Sequence, residues 1–541
     1  MDAITAPPPP RNEPVCDHAP GSAERADLLA ALDEFAEPRE LPAVIGDRRR
    51  PGSGPQFDVR APHDHRRVLA VSAAADADDA RLAVQAALAA AVPWRETPFD
   101  ERAAVLLRAA ELLAGPWRAR MNAATMLGQG KTIQQAEIDA ACELIDFWRF
   151  NVTFARQLLA EQPPAQAPGV WNRTDHRPLE GFVWAITPFN FTSIAGNLPT
   201  APALMGNVVI WKPSPTQQLA ASLTLDLLFE AGLPPGVINL LPGRGPEIAE
   251  VLLAEPELAG IHFTGSTETF QQLWRTVGER IAGYRTYPRL VGETGGKDFV
   301  IAHPSADPQA LVPALLRGAF EYSGQKCSAA SRAYLPESLW RRVRDELAER
   351  TEALSVGAVT DLSAFTSAVI DRPAFDRCSA ALRRAHATDS ISVLAGGTAD
   401  DEVGWFVRPT VLHGTDPRDE MFSTEYFGPI LSVAVYPDDR FEQVLREVDT
   451  ASPYGLTGAV FARDRAALHT AQHALRFTAG NFYLNDKPTG AVVGQQPFGG
   501  SRASGTNDKA GSVGNLARWT SPRTIKETFL PAPGVTYPHQ G

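Results

Sequence analysis

At about 150 residues per domain, the chain's 541 residues make roughly two to four domains. A hydrophobic share of 44% and a charged share of 21% describe an ordinary globular composition and exclude global disorder. The net charge of −12 argues against a nucleic-acid or anionic-membrane partner for the body of the protein. The four cysteines, Cys16, Cys142, Cys327 and Cys378, are too scattered for a disulfide framework, and no CxxC pair suggests a metal site. Only seven of the 51 basic residues are lysine: 131, 212, 297, 326, 487, 509 and 526. Lysine is kept either by accident or where a compact ammonium does what a guanidinium fork cannot.

Residues 1–37 open with a Pro-rich stretch of mixed charge that lacks the apolar core of a secretory signal and the Arg-rich pattern of a transit peptide. A flexible leader and a cytoplasmic location are the expectations. From Asp79, ARLAVQAALAAAV and DERAAVLLRAAELLAG carry apolar residues at helical spacing, and residues 134–154 continue in that style. A Pro-broken segment over 162–177 closes this helical layer. GFVWAITP, NVVIWKPS, VINLLPG and GIHFTGS then alternate with helical stretches, which predicts βαβ units and a parallel, doubly wound sheet. A second α/β region is expected from about 298 to 482, with helices at 306–320 and 338–354. The tail RWTSPRTIKETFLPAP reads as a β-like arm.

Residues 181–211 carry no charge, and their length alone could span a bilayer. Three prolines and three asparagines inside them argue instead for a buried strand and helix, or for a dry cleft wall holding a few aimed polar groups. GQGKT around Lys131 ends like a phosphate loop but has Thr125 where the first glycine is required. GRGPEI at 243–248 lacks the final glycine of a dinucleotide fingerprint, although it follows a strand and opens a helix. His469 and His473 read as a solvated helix face rather than metal ligands.

Chemistry is concentrated elsewhere. EYSGQKCSAAS sets Cys327 among small and polar residues, unlike an inert buried thiol. RLVGETGGKDFV places Glu293 beside glycines that let backbone approach a ligand closely. Together they suggest a nucleophile and a general base for covalent catalysis.

With these two motifs, ITPFNFTSIAGNLPTAPALMGNVVIWKPSPTQ, FTGSTETF, EYFGPILSV and VVGQQPFGGSRASGTNDKAG resemble the motif series of the aldehyde dehydrogenase superfamily, in its order, from about Pro38 onward. The resemblance implies an aldehyde dehydrogenase-like α/β fold. A Rossmann-type NAD-binding domain would occupy 38–161 and 181–296, an α/β catalytic domain 297–495, and a β oligomerisation flap 162–180 and 496–541. It implies Cys327 as nucleophile, Glu293 as the base for deacylation and Asn190 as an oxyanion donor with the Cys327 amide. It assigns Thr187, Lys212, Gly265, Ser266, Glu425 and Phe427 to NAD. Tolerance of NADP stays open, because Pro215 stands where many relatives carry a ribose-binding glutamate. The QQPFGG and ASGTND stretches resemble the branch that oxidises glutamate γ-semialdehyde to glutamate in proline catabolism. That likeness assigns Ser328, Gly490 and Ala491 to the substrate carboxylate, Phe191 and Phe498 to its aliphatic chain, and Glu143 to its amino group. A homo-oligomer, dimer or higher, is implied. Phe191 and Phe498 could equally be core, and Glu143 a solvated helix position. Dehydrogenation of another ω-semialdehyde such as succinic semialdehyde, a cofactor-free thiol hydrolase and an idle binding protein on the same fold are the competing readings.

Overall fold

A computed structural model describes residues 5–530 and 534–540. The uncharged run 181–211 becomes the strand Phe182–Thr187, the helix Thr192–Leu204 and the strand Val208–Pro213. Its amides are paired as burial demands: Asn207 donates to Pro202 O and Trp519 O, both at 2.9 Å, and Asn197 accepts from Asn151 at 2.9 Å. Among the described residues no helix is long and apolar enough to cross a membrane.

These two strands belong to a seven-stranded sheet whose spatial order is Arg289–Glu293, Leu258–Thr264, Phe182–Thr187, Val208–Pro213, Ile238–Leu240, Ala43–Ile45, Arg48–Arg50. Its first five strands are parallel. The chain runs outward from Phe182–Thr187 in one direction, then returns to add Leu258–Thr264 on the other side. That reversal opens a crevice at the carboxyl ends of the strands, where such sheets bind ligands. A second seven-stranded sheet orders Ile391–Ala395, Thr410–Gly414, Ile430–Tyr436, Ala330–Pro336, Asp298–Ala302, Thr457–Phe461 and Asn481–Leu484. Only its edge pair, Ile391–Ala395 with Thr410–Gly414, is antiparallel. Val170–Pro178 and Thr520–Thr528 pair antiparallel as a separate two-stranded ribbon.

Two expectations are corrected. The leader is built into the fold: Ala23–Asp33 is a helix, and Leu28, Leu32 and Phe35 are buried in the same core as Leu106, Met121 and Trp211. The cause is Leu28 and Leu32 on one face of that helix, with Phe35 just past its end, a row that the Pro-rich composition before it masked. Residues 1–4 lie outside the described residues. The flap assignment for 496–541 also needs dividing. Only Thr520–Thr528 joins the ribbon, whereas Phe498 bridges to Ala510, Gly505 bridges to Glu293, and Trp519 is fully buried. Glycines and small residues over 499–505 let this stretch lie against the strand end carrying Glu293. Residues 531–533 and 541 lie outside the described residues.

Candidate active site

Thr187, Lys212, Gly265 and Glu293 stand at the carboxyl ends of adjacent parallel strands. Ile186 is opposite Lys212, Thr264 is opposite Glu293, and the Gly265 amide donates to Glu293 O at 3.2 Å. Parallel register therefore brings four predicted residues from distant sequence positions to one edge.

Cys327 arrives from the other sheet, in the loop before Ala330–Pro336. This loop is under backbone strain: Tyr322 and Ser323 have φ of 54° and 51°, a left-handed conformation that costs side-chain-bearing residues about 1–3 kcal/mol each. Neighbouring segments hold it there. Tyr322 donates to Gln129 O at 2.9 Å, the Ser323 amide to Thr366 Oγ1 at 2.7 Å, and the Ser323 hydroxyl to Ser367 O. Gln325 Oε1 accepts from the Ile370 amide at 2.8 Å, and Gln325 O accepts from Asn190 Nδ2 at 3.0 Å. Asn190 is thus tied to the backbone two residues before Cys327.

Burial drives the Cys327 thiol well above its ordinary range, and the carboxylates of Asp298, Glu293 and Glu425 push it further. Glu293 is likewise raised well above the usual carboxylate range, chiefly by burial. Its Oε2 accepts from the Gly500 amide at 3.2 Å, and a Cβ at Gly499 would sit 2.8 Å from its Oε1. A buried, raised carboxyl beside a cavity is a candidate for proton transfer.

The residues predicted for the cofactor have spare bonding capacity of the right sign. Lys212 is buried, held down to about 8 by burial, and among the described residues its ammonium makes only a long 3.4 Å contact with Gly243 O. Ser266 caps the helix Thr267–Glu279, whose free amides suit an anion. Glu425 Oε1 accepts from the Gly296 amide at 2.8 Å, and burial raises this carboxyl to about 7. A side chain at Gly295 would overlap that carboxylate. Phe427, at φ 51°, packs edge-on against Phe189 with ring centroids 5.8 Å apart. Thr187 Oγ1 accepts from Trp211 Nε1 at 2.9 Å. Under-bonded buried ammonium, free helix amides and a raised carboxylate fit the hydroxyls and phosphates of a dinucleotide.

On the other side of Cys327 lies a cavity of about 290 Å³, near the lower end of the range of about 300–1,000 Å³ for small-ligand sites. Cys327, Glu293, Ser328, Gly490, Ala491, Phe191, Phe498 and Glu143 all line it. Ser328 Oγ lies 2.8 Å from Thr489 Oγ1, tying the nucleophile loop to the Gly490–Ala491 loop. Glu143 ends an irregular helical turn, Glu137–Glu143, accepts from Ser193 Oγ at 2.9 Å, and is raised by burial to about 8. It therefore faces the cavity and not solvent.

Sequence reasoning missed Val15, Gln135, Lys326 and Lys487 as cavity-lining residues. Lys326 pairs with Glu321 at 3.2 Å, and a Cβ at Gly490 would sit 3.4 Å from Lys487 Nζ. The scarcity of lysine was the available signal. Lys131, Lys212, Lys297 and Lys326 are buried, Lys487 lines the cavity, and Lys509 adds positive charge beside Glu293. The phosphate-loop decoy is explained as well: Lys131 pairs with Asp139 at 2.7 Å and lies 3.9 Å from the Phe191 ring centroid.

A strained cysteine loop and a glutamate lining one cavity beside a doubly wound sheet suit covalent catalysis on a nucleotide-binding fold. The chain belongs to the aldehyde dehydrogenase family, whose family model matches residues 50–525. Among its relatives, the mouse mitochondrial delta-1-pyrroline-5-carboxylate dehydrogenase is 50% identical over 522 residues, 96% of this chain and 92% of that one. The probable delta-1-pyrroline-5-carboxylate dehydrogenase of Schizosaccharomyces pombe is 49% identical over 98% of this chain and 97% of its own. The crystal structure of the Mycobacterium tuberculosis delta-pyrroline-5-carboxylate dehydrogenase bound with NAD is 61% identical, covers 100% of both chains and superposes with a TM-score of 0.97.

Proposed function

We propose that this chain oxidises L-glutamate γ-semialdehyde, the open form of 1-pyrroline-5-carboxylate, to L-glutamate with NAD. The observation that carries the reading is one cavity lined together by Cys327, Glu293, Ser328, Gly490, Ala491 and Glu143. Cys327 gives its thiol proton to solvent, and its Sγ bonds to the aldehyde carbon as the carbonyl π pair moves onto oxygen. The resulting oxyanion is met by the second Asn190 N–H and the Cys327 amide. Bound NAD supplies the two-electron acceptor that takes the thiohemiacetal to a thioester. Glu293 then takes a proton from water, whose oxygen attacks the thioester carbon, and the sulfur leaves to regain its proton.

The backbone at Gly490 and Ala491, with Ser328, receives the α-carboxylate. Glu143, once ionised, receives the ammonium. Phe191 and Phe498 flank the methylenes between them. Lys212, Gly265, Ser266, Thr187, Glu425 and Phe427 hold the dinucleotide. Pro215 supplies no carboxylate to repel a 2′-phosphate, so NAD is the preferred and not the exclusive form. The ribbon Val170–Pro178/Thr520–Thr528 leaves Trp171 50% exposed and supports a homo-oligomer, since an isolated two-stranded ribbon is marginally stable. A cytoplasmic location is proposed from the scattered free thiols, although the mouse relative is named as mitochondrial.

Steady-state kinetics followed by NADH absorbance test the reading with glutamate semialdehyde, succinic semialdehyde, NAD and NADP in parallel. Glutamate semialdehyde with NAD is expected to have the highest kcat/KM. A higher value for succinic semialdehyde overturns the substrate, and substrate hydrolysis without NADH overturns the reaction.

A further inference from the structure

Resting on that substrate reading, we infer that residues Asn12–His18 form the outer wall of the substrate chamber, and that Val15 limits the length of α-amino ω-semialdehyde it accepts. Val15 lines the cavity that contains Cys327, together with Ile138, Phe147 and Val492. The residue is 51% exposed, so it stands at the surface end of the cavity and not in the core.

The strap that presents Val15 is anchored on both sides of the mouth. Asn12 Nδ2 donates to Asp146 Oδ2 at 2.7 Å and to Val493 O at 2.8 Å, joining the helix Leu144–Leu159 to the loop that follows Gly490 and Ala491. The Glu13 amide donates to Asp146 Oδ1 at 2.7 Å, and the Glu13 carboxylate bridges Arg118 and Arg149 at 2.6 and 2.7 Å. Beyond Val15, the Cys16 amide donates to Glu137 Oε1 at 2.9 Å, and His18 Nε2 lies 3.2 Å from Glu137 Oε2.

Asp146 and Glu137 are buried carboxylates. Removing the strap would strip each of hydrogen-bond partners where water cannot fully replace them. Glu137 also opens the irregular turn that ends at Glu143, so the strap's far anchor bears on the element that carries the ammonium acceptor. Helical turns of this wide, irregular kind occur mostly at functional sites. With both polar ends of the substrate held as proposed above, a chain one methylene longer must find room against the apolar lining, to which Val15, Ile138 and Phe147 contribute.

Two sets of variants test this. Val15→Ala and Val15→Phe are assayed with glutamate γ-semialdehyde and with its homologue one methylene longer. One methylene in such a pocket discriminates by about 10–200-fold. Val15→Ala is expected to raise the long-to-short kcat/KM ratio at least about tenfold and Val15→Phe to lower it. Asn12→Asp sets a carboxylate against Asp146 and Val493 O and releases the near anchor. Its aldehyde KM is expected to rise about fivefold or more, with kcat and the NAD KM within about twofold. A ratio unmoved by both Val15 variants, or an Asn12→Asp enzyme whose aldehyde KM is unchanged or falls in step with thermal stability and kcat, overturns the inference. Failure of the wild-type enzyme on glutamate semialdehyde overturns the substrate reading and this inference together. An active wild type with an unmoved ratio overturns this inference alone.

Discussion

Truncating Asn190 to alanine removes two things whose sizes differ. One amide hydrogen is already committed to Gln325 O at 3.0 Å, in a position only 3% exposed. Losing it leaves a buried carbonyl unpaired and costs about 1–3 kcal/mol of folding free energy. The other hydrogen is the proposed oxyanion donor, and losing such a donor costs about 2.7–4 kcal/mol of barrier, or about 10²–10³ in kcat. The two effects separate experimentally. Urea unfolding reads the first, and NADH formation at saturating substrate reads the second. At 1.4 kcal/mol per tenfold, the kinetic loss is to exceed the factor of ten that slight loosening of the loop would produce. If unfolding free energy falls while kcat drops less than tenfold, Asn190 only braces the cysteine loop and the oxyanion argument is refuted.

Glu293→Gln keeps an acceptor for the Gly500 amide but removes the base. One NADH per site is expected in a rapid burst, followed by a steady state slower by about 10²–10⁴. An equal loss in the burst itself would assign Glu293 to thiol activation instead. Because burial and three carboxylates raise the Cys327 thiol, its alkylation by iodoacetamide in cofactor-free enzyme is expected to be slow at pH 7 and still climbing at pH 9. A plateau below pH 7 contradicts that environment. Glu143, raised from 4.5 to about 8, binds its proton more tightly folded than unfolded. Its stabilising contribution is full below pH 4.5 and is lost as pH rises to about 8, so Glu143→Gln should gain on wild type in unfolding free energy across that window. A difference independent of pH rules the assignment out.

The alternation of strand and helix was legible because its signals are local: apolar runs cut by Gly, Pro or Ser, then helical spacing. Cys327 and Glu293 were legible for the same reason, each lying among small residues within one short motif. The left-handed turn at Tyr322 and Ser323 was not, since nothing local favours positive φ in two such residues. Gln129, Thr366 and Ser367 hold it from remote parts of the chain. The role of the leader was hidden likewise. The carboxylates that receive Asn12, Glu13 and His18 sit inside helical segments more than 100 residues further on.

Residue order alone was enough to give most element types and the family, and to single out Cys327 and Glu293 as the proposed reacting pair, because periodicity and motif chemistry act over a few residues. Folding was needed to choose which buried charges meet: Lys131 with Asp139 beside the Phe191 ring, and Glu143 on the cavity wall. Pairing a charge in a low-dielectric interior depends on distance through space, and that distance has no counterpart along the chain.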